Sequence, residues 1–130
     1  SALHQLFLFI RQLSKFFSLQ GIKRLHISIK VFLKSLEGLV DELVVVDCLT
    51  LWLSNAMSKD LILDIPKVID AARNRTGSTI FVTNETGEGI VPMHPVSRKF
   101  RDLSGSMNQE FARLCDEVIF MRFGIETKIK

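Results

Sequence analysis

Leu43-Val44-Val45-Val46-Asp47 is the stretch that decides the fold. Its apolar residues are continuous rather than alternating, and three of them are β-branched. Alternation marks a strand with one wet face, whereas an unbroken run marks a strand covered on both faces, as in a parallel sheet between helices. Thr79-Ile80-Phe81-Val82-Thr83 and Val118 to Phe123 are two more runs of this kind. Helical segments fall between them. Leu49 to about Ser58 reads as a helix that packs through Trp52 and Leu53. Ile65 to Asn74 reads as another, with Pro66 in the first turn, where proline is tolerated. Thr76-Gly77-Ser78 is a loop. Pro95 opens a long helix with Val96, Phe100, Leu103, Met107, Phe111 and Leu114 on one face, at spacings of three and four. Gly124 turns the last run into Ile125–Ile129, whose alternation suits an exposed edge strand. Strands alternating with helices predict an α/β fold with a mostly parallel, doubly wound sheet flanked by helices.

The first third of the chain departs from this pattern. Residues 1–36 hold six Lys/Arg and no acidic residue, while 37–130 carry the remaining eleven Lys/Arg and all fourteen Asp/Glu. The net charge of +3 is therefore a basic segment added to a mildly acidic body, and that body does not suggest a nucleic-acid surface. Leu3, Leu6, Phe7, Ile10, Leu13 and Phe17 fall at helical spacing, which predicts a helix over 3–19. Such a helix packs on a core or serves as an amphipathic targeting segment. The apolar run Leu6–Ile10 is too short to span a membrane and Arg11 interrupts it. Residues 24–36 suit strand and helix alike. The sequence divides into an atypical N-terminal segment, 1–36, and an α/β body, 37–130. A chain starting at Ser1 is expected to be a fragment or a processed product. Cys48 and Cys115 sit in apolar surroundings with no metal-ligand spacing, which predicts buried thiols in a reducing, cytoplasmic setting.

Polar residues gather just past the strand ends. Four apolar residues followed by Asp47 form a Walker-B-like pattern, in which the strand delivers a carboxylate to hold Mg²⁺ beside nucleotide phosphates. An Asp there is also a common helix N-cap. Glu85 ends the next strand in the same way. If the two strands are neighbours, both carboxylates open into one crevice and share a metal or divide metal and base roles. The plain alternative for Glu85 is a solvated loop carboxylate, and Glu88 is expected to be simply exposed. Gly87-Glu88-Gly89 has too few glycines and too many carboxylates to cradle phosphate. Arg98, Lys99, Arg101 and Asp102 start the long helix as a phosphate clamp or as a solvated face. Asn108 and Gln109 read a base or an amide-rich ligand, or face water. Of the histidines, His26 alone has basic neighbours, and histidine can carry a phosphoryl or nucleotidyl group. Gly-x-x-x-x-Gly-Lys-Ser/Thr, the loop that grips triphosphate, occurs nowhere in the 130 residues.

Three motifs stand in order: Val44–Asn55 (Val-Val-Val-Asp-Cys-Leu-Thr-Leu-Trp-Leu-Ser-Asn), Val82–Pro92 (Val-Thr-Asn-Glu-Thr-Gly-Glu-Gly-Ile-Val-Pro) and Phe100–Gln109 (Phe-Arg-Asp-Leu-Ser-Gly-Ser-Met-Asn-Gln). Together they resemble the bifunctional adenosylcobinamide kinase / adenosylcobinamide-phosphate guanylyltransferase family of cobalamin biosynthesis, over about residues 40–130. The resemblance implies a P-loop NTPase-like (RecA-like) α/β fold, usually a homotrimer. It also implies two reactions. One phosphorylates the aminopropanol hydroxyl of adenosylcobinamide with ATP or GTP. The other transfers GMP from GTP through a guanylylated histidine to give adenosylcobinamide-GDP. Asp47 matches the family's acidic nucleotide and Mg²⁺ contact. Asn84, Arg101, Asp102, Asn108 and Gln109 fall in signatures around the active site and subunit contacts. The family's opening strand, Gly-rich loop and histidine-bearing helix have no evident match in 1–36. His26 is the only positional candidate for the guanylylated histidine, and it lies closer to the Walker-B strand than the family pattern places it. The alternative implied by the missing loop is a catalytically impaired remnant that folds and at most oligomerises.

Overall fold

The computed structural model describes residues 6–11, 38, 43–60 and 63–130. The chain forms strands β1 (Leu6–Arg11) and β2 (Val44–Asp47), helices α1 (Leu49–Ser58) and α2 (Ile65–Arg73), strand β3 (Thr79–Asn84), helix α3 (Pro95–Leu114), and strands β4 (Glu117–Arg122) and β5 (Ile125–Lys128). The five strands form one sheet in the order β2-β3-β1-β4-β5. The first four run parallel, and β5 pairs antiparallel at the edge beside β4. The α/β class, the parallel sheet and the exposed edge strand all match the sequence pattern.

One expectation is corrected. Residues 6–11 are not part of a helix; they form the central strand, paired with β3 on one side and β4 on the other. An apolar run of five fits a strand covered on both faces as well as it fits a buried helix turn. Two parallel neighbours settle the ambiguity, because every backbone N–H and C=O of a central strand then finds a partner. The segment 1–36 therefore does contribute an opening strand, against the expectation that it holds none. Residues 24–36, including His26, lie outside the described residues.

The register aligns Val46, Phe81, Leu8 and Val118 in one row across four strands. All four are buried, and with Val44 they form the floor of the core. Trp52 and Leu53 of α1, Val68, Ile69 and Ala72 of α2, and Met107 and Phe111 of α3 close over that floor. Phe111 is the hub: its ring meets Trp52 edge-on at 6.2 Å and Phe81 at 5.0 Å. Each large side chain so buried contributes roughly 1.5–3 kcal/mol of transfer free energy. Val45 and Val82, one residue out of phase, are buried on the opposite face, as a doubly covered sheet requires.

Local chemistry sets the element ends. Asp64 caps α2 by accepting from the Lys67 N–H at 3.1 Å, and Pro66 sits in the first turn. Phe123 and Gly124 have φ of 54° and 74°, the pair of positive values that a two-residue type I′ hairpin needs. Gly124 adopts its value freely, whereas Phe123, 91% exposed, does so at some cost. At the far end of α3, Lys130 Nζ donates to the carbonyls of Ala112, Arg113 and Cys115, satisfying orphan acceptors where a cation is favoured. Arg75, which composition alone would place on the surface, is buried and donates to the Ser78 carbonyl at 3.3 Å, bracing the turn into β3.

Candidate functional site

Parallel strands put all their carboxyl ends on one edge, and open α/β proteins place ligands outside that edge. Asp47 and Asn84 end β2 and β3, which are adjacent, with Asp47 in register with Val82. The two strands are therefore neighbours, which is the condition on which a crevice shared by Asp47 and Glu85 depends. Helix α1 takes Cys48, not Asp47, at its N-cap, so the helix-cap alternative for Asp47 is not what the chain adopts. The Asp47–Cys48 peptide is cis.

Asn84 is held from two sides. Its side-chain amide donates to Thr50 Oγ1 at 2.8 Å and lies 3.6 Å from Cys48 Sγ, which joins the end of β3 to the start of α1. Its backbone carbonyl accepts from Asn108 Nδ2 at 3.1 Å. Asn108 Oδ1 in turn accepts from the buried Thr83 hydroxyl at 2.7 Å. Asn108 is thus a buried strut between α3 and the carboxyl end of β3, with both polar ends engaged inside the protein. Buried side-chain amides demand such pairing, and a fully satisfied network fixes one geometry. Thr50 and Thr83 belong to this network, and so does Cys48, which the sequence predicts to be a buried thiol in apolar surroundings but which is only partly buried. Only their positions beside strand ends could have signalled them.

The loop after β3 is braced rather than loose. Glu85 accepts from the Gly87 N–H, so its carboxylate folds back on its own turn. Arg101 donates to the Gly87 carbonyl, and Arg98 Nη1 donates to the Pro92 carbonyl at 3.1 Å. Glu88 pairs with Arg122 of β4 at 2.6 Å instead of standing alone in solvent. Both partners are about half exposed, so this pair contributes little stability and mainly sets loop position. Two cations of the early-helix charge run therefore hold the loop, while Lys99, Asp102 and Gln109 face solvent. His94 immediately precedes α3, as a loop residue.

A groove of about 510 Å³ opens beside this loop, between α1 and the first turns of α3. Met57, Pro92, Val96 and Phe100 supply its apolar surface. Ser54, Ser58, Thr86, Ser97 and Arg101 supply polar groups. The predicted apolar face of α3 is corrected here. Val96 and Leu103 are 72% and 38% exposed, while Ser104 and Asn108 are buried beside Met107 and Phe111. The Thr83–Asn108 bond accounts for the polar residue on the inward face.

Cys115, at the end of α3, is buried, which pushes its thiol up to about 12; Asp116 adds to the rise, and Arg73 and Lys130 oppose it. It is a packing residue held as a neutral thiol. Among the described residues, no three His, Cys, Asp or Glu side chains cluster as a metal cage. None of the described helices is long and apolar enough to cross a membrane.

Comparison with known proteins agrees with the motif order. The family model described as cobinamide kinase / cobinamide phosphate guanyltransferase matches residues 24–129. The bifunctional adenosylcobalamin biosynthesis protein CobP of Pseudomonas aeruginosa is 37% identical over 95 residues, 67% of this chain and 53% of that protein. The corresponding CobU proteins are 38% identical over 79 residues in Escherichia coli and 32% identical over 107 residues in Salmonella typhimurium. Those matches cover 61% and 69% of this chain, and 44% and 59% of the relatives. The chain spans about half the length of the curated relatives it matches. It belongs to the cobinamide kinase / cobinamide phosphate guanyltransferase family.

Proposed function

We propose that the chain carries the Walker-B and substrate side of an adenosylcobinamide kinase and adenosylcobinamide-phosphate guanylyltransferase. In this reading it is a cytoplasmic enzyme, trimeric as in its family, whose substrates are adenosylcobinamide and GTP or ATP. The observation that carries the reading is the placement of Asp47 and Asn84 at the carboxyl ends of neighbouring parallel strands, within a chain matched to the family over 24–129.

Magnesium fits this edge. Mg²⁺ is commonly held by one or two carboxylates together with substrate phosphates rather than by a cage of protein ligands. Asp47 supplies one carboxylate, and the missing three-residue cluster is no obstacle. When bound, the ion offsets the charge that develops on the transferring phosphoryl group. Asp47 would hold it. Thr50 and Asn108, through Asn84, fix the strand end from which the loop departs. Glu85, next in the chain, stands beside this edge as the acid–base candidate. Arg101, Asp102 and Gln109 of α3 are, by the resemblance, candidates for substrate or subunit contacts. The guanylyl acceptor in this reading is His26, which lies outside the described residues.

One observation favours a second reading. The 130 residues lack the Gly-x-x-x-x-Gly-Lys-Ser/Thr motif whose backbone commonly cradles a triphosphate. The chain is then an α/β module that retains the family's fold and not its turnover. Incubation with adenosylcobinamide, labelled GTP and Mg²⁺ separates the two. Labelled adenosylcobinamide-GDP, formed by the wild type and not by Asp47→Asn, supports the enzyme; no product from a folded chain supports the module. The same reaction tests the histidine: an acid-labile label that persists in His26→Ala removes that residue from the mechanism.

A further inference from the structure

We propose that the groove between α1 and α3 holds the amide-rich corrinoid, as distinct from the nucleotide. This deepens the function proposed above and rests on it. The polar groups of the groove are four hydroxyls and one guanidinium, with no carboxylate among them. A triphosphate is commonly gripped by several cations, and a metal by acidic ligands; the groove's lining has a single cation and no carboxylate. Neutral amide arms need both donors and acceptors. Hydroxyls serve as both, and the guanidinium donates to carbonyl oxygen. Ser58 already gives its proton to the Asn55 carbonyl at 2.9 Å, which leaves its oxygen as an acceptor for an amide N–H.

Arg101 supplies an independent observation. One of its nitrogens holds Gly87, while its Nε is buried with no hydrogen-bond partner among the described residues. A buried donor left unpaired costs roughly 1–3 kcal/mol, so such a group calls for an explanation. A carbonyl acceptor entering the groove would provide one. The apolar part fits the same ligand: Val96 is 72% exposed on a helix whose later turns bury their apolar residues, and Met57 and Phe100 lie beside it. At about 510 Å³ the groove falls in the range of small-molecule sites and takes one amide-bearing edge of a macrocycle. Its position suits transfer chemistry, since Thr86 lies two residues beyond Asn84 and the ligand would sit next to the Asp47 edge.

The test is equilibrium dialysis of the 130-residue chain with dicyanocobinamide, read by its visible absorbance, alongside Ser58→Trp and Val96→Trp. Both positions are exposed, so a larger side chain fills the groove without entering the core. Circular dichroism and Tm establish that the variants fold. The expected result is binding by the wild type and a loss of about tenfold or more in each variant. Equal binding by the folded variants overturns the groove assignment and leaves the proposed function standing. No cobinamide binding by the folded wild type also overturns it. A wild type that binds cobinamide in the groove while Asp47 ignores GTP–Mg²⁺ upholds the assignment and counts against the nucleotide half of the proposed function.

Discussion

The two halves of α3 treat apolar residues in opposite ways. In the second half Met107 and Phe111 are sealed against the sheet, at 2% and 0% exposure. In the first half Val96 stands in solvent, and Ile90 and Met93 in the loop before it are more than nine-tenths exposed. The second half contributes to stability in the ordinary way, by removing apolar area from water. The first half takes less of that gain, with Phe100 only partly buried against the core, and forms the wall of a groove. Asn108 and Ser104 mark the changeover: a polar pair faces the sheet where an apolar stripe was expected, and Asn108 locks the helix to the end of β3.

This contrast can be broken by substitution. The largest effect is expected at the hub. Phe111→Ala removes the ring between Trp52 and Phe81 and should cost about 3–5 kcal/mol in chemical denaturation. A cost under about 1 kcal/mol would show that the second half is not the stabilising one. Asn108→Ala removes a buried partner from the Thr83 hydroxyl and from the Asn84 carbonyl, and should cost about 1–3 kcal/mol. In that variant amide exchange should quicken at Asn84 and Glu85 more than in β4; uniform quickening would make Asn108 an ordinary core residue. The smallest effect belongs to the first half. Val96→Ser should change stability by no more than about 0.5 kcal/mol, since its side chain is already wet. A larger loss would mean that something covers Val96 in solution.

The sequence made β2, β3, β4 and the three described helices legible because each carries its own signal: β-branched runs, a proline in the first turn of α2, a proline opening α3. It misplaced β1 for a physical reason. Leu6–Ile10 uses Leu and Phe where β2 uses Val, so the β-branched cue is missing, and Leu3, Leu13 and Phe17 extend the run with helical spacing. Pairing with β3 and β4 is a long-range fact that no local window contains. The site was half legible. Asp47 stood out as a candidate because it ends a buried apolar run in a Walker-B-like pattern. The Asn84–Thr50 and Asn108–Thr83 bonds, and the groove, join residues far apart in the chain and could be seen only once the strands were in order.

In the function proposed above, the carboxyl edge of β2 and β3 is the metal–nucleotide end of the molecule. The most direct measurement is a ¹H–¹⁵N NMR titration of the chain with GTP, with Mg²⁺ and again with EDTA, for the wild type and Asp47→Asn. Without a glycine-rich loop, binding should be weaker than micromolar, depend on Mg²⁺, shift the amides of Asp47, Cys48 and Asn84–Thr86, and vanish in Asp47→Asn. Micromolar affinity would contradict the missing phosphate grip. Shifts that leave those amides untouched, or that survive unchanged in Asp47→Asn, would place the metal and nucleotide elsewhere on the molecule.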